Sequence, residues 1–109
     1  MKFDNLLIAP LVGVQNTEVV VSHVSIPPYT RLPMHWHPGE EFAYVLDGSL
    51  ILHQEGEDDV SFTKGDVGVV PFKKVHTIET QNESATLLVF RVHAQGQPER
   101  VLVEAQKTA

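Results

Sequence analysis

Apolar and polar residues alternate along this chain in short segments that proline and glycine separate. Segments rich in Val, Ile, Thr and aromatic residues are typical of β-strands. The prolines and glycines between them leave few intervals that are long enough for a helix. The predicted strands are Glu18–Ile26, Phe42–Asp47, Ser49–Gln54, Val60–Phe62, Val67–Val70, Val75–Thr80 and Ala85–Val92. Many short strands at even spacing indicate an all-β sandwich or barrel.

The pattern also predicts how some of these strands are connected. Asp47-Gly48 stands between two predicted strands, and this pair of residues is typical of a tight hairpin turn. The ends of the chain, Met1–Leu7 and Gln95–Ala109, are the parts that the pattern determines least. Within the second of them, Arg100–Glu104 alternates well enough to predict a last strand.

Several predicted strands are apolar on both faces. Phe42, Tyr44 and Leu46 alternate with Ala43 and Val45, so neither side of that strand is polar. In a sandwich one face packs against the opposite sheet, and the other face then needs a second cover, commonly another copy of the chain. Because 109 residues is also near the lower end of what sustains a core alone, we expect a homodimer.

Composition and charge narrow the functional classes. The chain has 109 residues, of which 42% are hydrophobic, and we expect one globular domain over residues 1–109. Fourteen acidic against eight basic side chains give a net charge of -6, which argues against nucleic-acid binding through a basic surface. The absence of Cys excludes disulfides, thiolate ligands and thiol nucleophiles. Without a signal-like segment or an apolar run of about 20 residues, we expect a cytoplasmic protein that binds no membrane.

The most informative stretch for chemistry begins at His35. His35 and His37 are separated by one residue, so on a strand they project from the same face about 6.6 Å apart. Both imidazoles can therefore bind one ion. Glu40 or Glu41 follows after a Pro-Gly turn and adds a carboxylate, and His76 is a more distant fourth candidate. Three histidines and one carboxylate suit one divalent ion of iron, manganese, nickel, copper or zinc.

Two stretches resemble the two sequence motifs of the cupin superfamily. The first motif is Gly, five residues, His-x-His, three or four residues, Glu, six residues and Gly. The second is Gly, five residues, Pro-x-Gly, two residues, His, three residues and Asn. The matching residues are His35, His37, Glu41 and Gly48 in the first motif, and Gly65, Pro71 and His76 in the second.

The resemblance implies a fold and a ligand set. The expected fold is a double-stranded β-helix, or jelly-roll β-barrel, with a core barrel over about residues 17–92. The expected metal ligands are His35, His37, Glu41 and His76, and the spacing of the family motif is what selects Glu41 over Glu40.

The chain departs from the motifs at three positions that hold no ligand. Tyr29 and Lys73 stand where the family has Gly, and Thr80 stands where it has Asn. Since Lys adopts a left-handed backbone conformation less readily than Gly, the geometry of these loops is the feature that the departures put in question.

The resemblance permits dioxygenases, isomerases, lyases and decarboxylases. The residues expected to face the inside near the ligands are Ala43, Val45, Ile78 and Phe90, and these are apolar without a second acid-base pair. This favours metal-centred chemistry on a small organic molecule, with oxygenation of an enolic or phenolic compound as the leading hypothesis. The alternative is a non-catalytic small-molecule-binding or sensor protein.

The remaining histidines and the tryptophan lie outside the motifs. His23, His53 and His93 have no matching partner pattern, and ordinary packing or exposure is expected for them. Trp36 lies between two motif histidines, so strand alternation directs it away from the metal pocket.

Overall fold

The structure is a computed structural model that describes residues 1–103. That part of the chain forms nine β-strands and contains no helix, so none that is long and apolar enough to cross a membrane. The strands are β1 (Lys2–Pro10), β2 (Thr17–Ile26), β3 (His35–Trp36), β4 (Gly39–Gln54), β5 (Val60–Thr63), β6 (Val67–Val70), β7 (His76–Glu79), β8 (Ala85–Ala94) and β9 (Val101–Leu102).

All the strand pairs are antiparallel, and together they form one curled sheet. The strands follow the order β1-β2-β8-β4-β7-β3-β9, and β5 and β6 also pair with β4. The first half of β4 pairs with β8 and β6, whereas its second half pairs with β5 and β7. The expected all-β jelly-roll fold is therefore confirmed, and β4 is the strand that joins its two halves.

The hairpin predicted at Asp47-Gly48 is wrong, because β4 runs through both residues without reversing. The pairing of β4 with β8 shifts register between Val45 and Asp47, which is how a strand bends at a bulge. Gly48 has a φ of 78°, and a Cβ there would collide with the carbonyl oxygen of Ser84. Only glycine suits this bend, so the residue that signals a hairpin turn instead carries β4 from one half of the barrel to the other.

Both ends of the described chain form strands. β1 pairs along almost its whole length with β2, and its apolar residues Leu6, Leu7 and Ile8 are exposed. β9 lies within the predicted strand Arg100–Glu104, although Glu104 is outside the described residues. β9 pairs with β3, which places the C-terminal part of the described chain beside His35.

The core lies between the two halves of the barrel. Its buried apolar residues are Val24, Ile26, Val45, Leu50, Ala85, Leu87 and Val89, with Ala43, Phe62 and Ile78 packed against them. The expectation that Phe90 faces the inside is wrong. In β8 the inward positions are Leu87 and Val89, so alternation puts Phe90 on the outer face, opposite Phe42 and 39% exposed.

Candidate metal centre

Two strands bring the three motif histidines together. His35 on β3 lies directly opposite His76 on β7 in the register of the sheet, so both side chains project from the same face. His37 follows two residues after His35 and is directed to that face as well. All three side chains are buried, and the structure places them in one cluster that could hold a metal ion.

The cluster is compact enough for one ion. The ring centroids are 5.0 Å apart for His35 and His37, 4.4 Å for His35 and His76, and 5.1 Å for His37 and His76. One nitrogen from each ring lies within 4.8 Å of the others. Nitrogens that each lie about 2.0–2.1 Å from a common ion are at most about 4.2 Å apart, so these side chains need to move by less than about 1 Å to bind one ion.

Each of these histidines donates its Nδ1 proton to a backbone carbonyl. The distances from Nδ1 to the carbonyl oxygen are 2.7 Å for His35 with Pro33, 2.6 Å for His37 with Glu99, and 2.8 Å for His76 with Lys74. A carbonyl only accepts, so Nδ1 carries the proton, and in a neutral ring Nε2 keeps its lone pair. Metal-binding histidines are typically oriented by this kind of bond.

Burial favours the neutral form of His35 and His76. It lowers the pKa of His35 to about 4, against the opposing effect of the hydrogen bond to Pro33, and the neighbouring His76 and His37 lower it further. Burial likewise lowers the pKa of His76. At neutral pH both rings are therefore uncharged, which is the state that a metal ligand requires.

Glu41 on β4 supplies the carboxylate. Its Oε2 lies 2.7 Å from Nε2 of His37, and its Oε1 lies 3.9 Å from Nε2 of His76. Burial would raise the pKa of Glu41, but the contact with His37 and, in acid, the charges of the neighbouring histidines and Arg91 outweigh it and hold the pKa at about 2. The carboxylate is therefore ionised. The neighbouring Glu40 is exposed, because alternation along β4 turns it to the outside.

The contact between His37 and Glu41 fits a bound cation. Although the two atoms are 2.7 Å apart, Nε2 of His37 has no hydrogen bond of acceptable geometry with any described residue. Since Nδ1 of His37 already donates to the carbonyl of Glu99, a cation bound between Nε2 and the carboxylate of Glu41 would satisfy both groups in this buried place. Three imidazoles and one carboxylate are donors that a divalent transition metal takes.

A cavity of about 70 Å³ adjoins the cluster. One water molecule needs roughly 10–15 Å³ by this measure, so the cavity has room for a small ligand or several waters. The wall residues are mostly apolar and include Val24, Ala43, Val45, Leu87 and Val89. Two arginines, Arg91 and Arg100, also line it.

The sequence analysis did not single out these two arginines. A signal for Arg91 was present, because it follows Leu87 and Val89 at the same alternation and so occupies an inward position of β8. A charged residue at such a position is rare unless it has a partner or a function. Arg100 had no comparable signal, because the alternation that predicts a strand over Arg100–Glu104 does not show which of its faces is turned inward.

The three departures from the motifs are accommodated locally. Tyr29 and Lys73 adopt the left-handed backbone conformation themselves, with φ of 53° and 61°, so glycine-like loop geometry is kept without glycine. Thr80 is buried, and its hydroxyl donates to the carbonyl of Pro27 and accepts from the amide of Thr30. The loops at these three positions therefore keep their geometry without the Gly and Asn residues of the family motifs.

His53 and His93 make polar contacts outside the cluster. His53 lies between Asp59 and Glu79, each 2.7 Å from one of its ring nitrogens, and these contacts raise its pKa. His93 lies 3.1 Å from a carboxylate oxygen of Glu18.

Comparison with known proteins identifies a family. The family described as the cupin domain matches residues 22–91, well over half of the chain. A search of curated proteins finds no match.

Solved structures share the fold. The DMSP lyase DddQ from Ruegeria pomeroyi DSS-3 superposes with a TM-score of 0.73 at 23% identity. The match covers 83% of this chain but only 45% of the lyase chain. A cupin-like protein from Thermotoga maritima gives a TM-score of 0.68 at 23% identity, covering 93% and 74% of the two chains. The polyketide cyclase RemF from Streptomyces resistomycificus gives 0.69 at 19% identity, covering 94% and 80%. Identities this low show a common fold and no more.

Proposed function

The chain belongs to the cupin family, and from that premise we propose that it holds one divalent transition-metal ion and acts on a small organic molecule there. The proposed ligands are His35, His37, Glu41 and His76. The observation that carries the proposal is the set of three Nδ1-to-carbonyl hydrogen bonds, which leave the three Nε2 lone pairs free in one buried cluster. Iron, manganese, nickel, copper and zinc all accept this donor set.

The cavity residues support chemistry centred on that ion. A bound metal would polarise a ligand oxygen or present the ligand to dioxygen. Among the described residues that line the cavity, Glu41 is the one carboxylate, and the proposal already uses it as a ligand. The apolar walls exclude water and orient the carbon skeleton of the ligand. We therefore propose oxygenation of an enolic or phenolic compound, with isomerisation and elimination as the other reactions compatible with the fold.

Oxygen uptake tests the proposed reaction. The untagged protein, loaded with iron or with manganese, is incubated with a panel of enols and phenols, and oxygen consumption is followed with an electrode. We expect uptake with at least one compound and its loss in His76→Ala. His23→Ala is the matched control, because His23 lies on the outer face of β2 and we expect it to retain activity. Equal activity in both variants would contradict the proposal.

The alternative is a small-molecule-binding or sensor protein that uses the same cavity without turnover. The scarcity of acid-base groups among the cavity-lining residues favours it. A ligand that raises the thermal stability of the metal-loaded protein but is recovered unchanged would establish this alternative.

A further inference from the structure

We infer that the molecule bound in this cavity carries a carboxylate, and that Arg91 binds this group with help from Arg100. The inference rests on the proposed function, since it names the substrate class of the same site.

Arg91 is a buried cation on the inner face of the barrel. It is 7% exposed, lies on β8 two residues after Val89, and lines the cavity. Removing a guanidinium from water is costly unless hydrogen bonds and an opposite charge compensate it. If other residues of the fold accepted hydrogen bonds from all five N–H donors, Arg91 would have a structural role only.

Those contacts leave part of the guanidinium free. Nη2 donates to Oγ of Ser22 at 3.0 Å and to Oε1 of Glu99 at 3.4 Å. Nη1 is 4.0 Å from Oε2 of Glu41, which is beyond hydrogen-bond distance. Nε is buried and has no hydrogen-bond partner in residues 1–103. Glu41 is thus close enough to attract Arg91 but does not satisfy its donors.

A polar network holds the guanidinium in position. The hydroxyl of Ser22, which accepts from Arg91, donates to Oδ1 of Asn5 at 2.6 Å. The amide of Asn5 donates to Oε1 of Glu99 at 3.1 Å, and the same oxygen contacts Arg91. Nη2 is thus held in place while Nη1 and Nε keep free donors, and this arrangement preorganises the guanidinium for a ligand.

The charge of the cavity favours an anion. Besides the histidines, its charged lining residues in the described chain are Glu41, Arg91 and Arg100, and these three together carry one net positive charge. A divalent ion would make it more positive. The cavity is therefore locally cationic although the whole protein has a net charge of -6. Such a local field raises the concentration of anionic ligands.

Arginine binds both carboxylates and phosphates, and the small cavity of about 70 Å³ with apolar walls favours the smaller carboxylate. A planar guanidinium with adjacent N–H donors matches the two oxygens of a carboxylate. Apart from the arginines, Glu41 and the histidines, the walls are apolar and suit a short carbon skeleton. Because Arg91 lies 4.0 Å from an oxygen of Glu41, the ligand's carboxylate is only a few bonds from the end that reaches the metal cluster.

Matched acids and amides test this inference by isothermal titration calorimetry. The pairs are acetate with acetamide, butyrate with butyramide, and 3-hydroxybutyrate with 3-hydroxybutyramide, titrated into the metal-loaded full chain and again after chelation. We expect at least one acid to bind about 10- to 100-fold more tightly than its amide, which is the range for hydrogen bonds to charged groups. Arg91→Gln should reduce that ratio about tenfold or more.

Further variants keep the test decisive if Arg91→Gln does not fold. Arg91→Lys keeps the charge but lacks the Nε–H donor, so a partial reduction is expected. Arg100→Gln changes an exposed residue of the lining, and a smaller reduction is expected. Arg31→Gln is the matched control, because Arg31 pairs with Glu79 outside the cavity lining and should leave the ratio unchanged.

The outcomes separate this inference from the proposed function. If metal is retained but no acid is preferred over its amide, or no pair binds at millimolar concentration, the inference is wrong and the metal site stands. If the preference persists in both Arg91→Gln and Arg100→Gln, the acid binds elsewhere and the inference is also wrong. If the chain takes up no metal but still prefers acids through Arg91, the proposed function fails and the inference holds.

Discussion

Replacing Gly48 with alanine tests whether β4 runs unbroken between the two halves of the barrel. Gly48 has a φ of 78°, and a Cβ there would collide with the carbonyl oxygen of Ser84. The left-handed conformation costs an L-residue roughly 1–2 kcal/mol. Forcing a new methyl group into a packed contact costs roughly 1–3 kcal/mol more. We therefore expect Gly48→Ala to lower the free energy of unfolding by about 2–5 kcal/mol.

Gly56→Ala is the matched control for this variant. Gly56 has the same φ of 78°, but no heavy atom of the described residues lies within 4 Å of the position that its Cβ would take. Its expected loss is the conformational cost alone, roughly 1–2 kcal/mol. Urea denaturation followed by circular dichroism measures both variants, and their difference isolates the collision at Ser84.

The result that would refute the reasoning is an equal loss in the two variants. Gly48 would then stand in an open turn, as the tip of the hairpin predicted from the sequence does, and the continuous β4 would be wrong. A larger loss for Gly48→Ala with an unchanged m-value supports the bend, because an unchanged m-value means that the surface exposed on unfolding is the same.

Two further predictions concern the surface of the barrel. The hydrogen bonds from His53 to Glu79 and Asp59 raise the pKa of His53. These bonds therefore stabilise the folded chain fully below the unfolded pKa of about 6.5. The stabilisation is lost as the pH rises through the folded pKa. The difference in unfolding free energy between the wild type and His53→Gln should therefore be largest at about pH 5–6 and shrink above it, and a constant difference would contradict the assignment. The exposed Phe42 and Tyr44 on the outer face lead us to predict a homodimer, which light scattering detects and Tyr44→Lys should dissociate. A wild-type monomer at micromolar concentration would contradict that prediction.

The alternation of apolar residues was enough to predict most of the strands and the all-β class. It could not distinguish a hairpin from a bend at Gly48, because both need a glycine with positive φ, and only the contact with Ser84 decides between them. It also misplaced Phe90, since a strand that is apolar on both faces does not show which face is inside.

The candidate site was predictable to the extent that it depends on spacing. The family motif pointed to His35, His37 and His76, and the structure clusters them. Their carbonyl partners were not predictable, because hydrogen bonds such as that from His37 to Glu99 join residues far apart in the sequence. The role of Arg91 depends in the same way on Ser22, which the fold brings near from another strand.

Metal analysis of the untagged protein tests the central claim most directly. Mass spectrometry of the purified chain should find about one transition-metal ion per subunit, as one donor cluster implies. The double variant His35→Ala/His37→Ala should lose it, and Glu41→Ala should weaken binding far more than Glu40→Ala, whose side chain is exposed. Full metal content in the double variant would contradict the account, because the ion would then be bound by other residues.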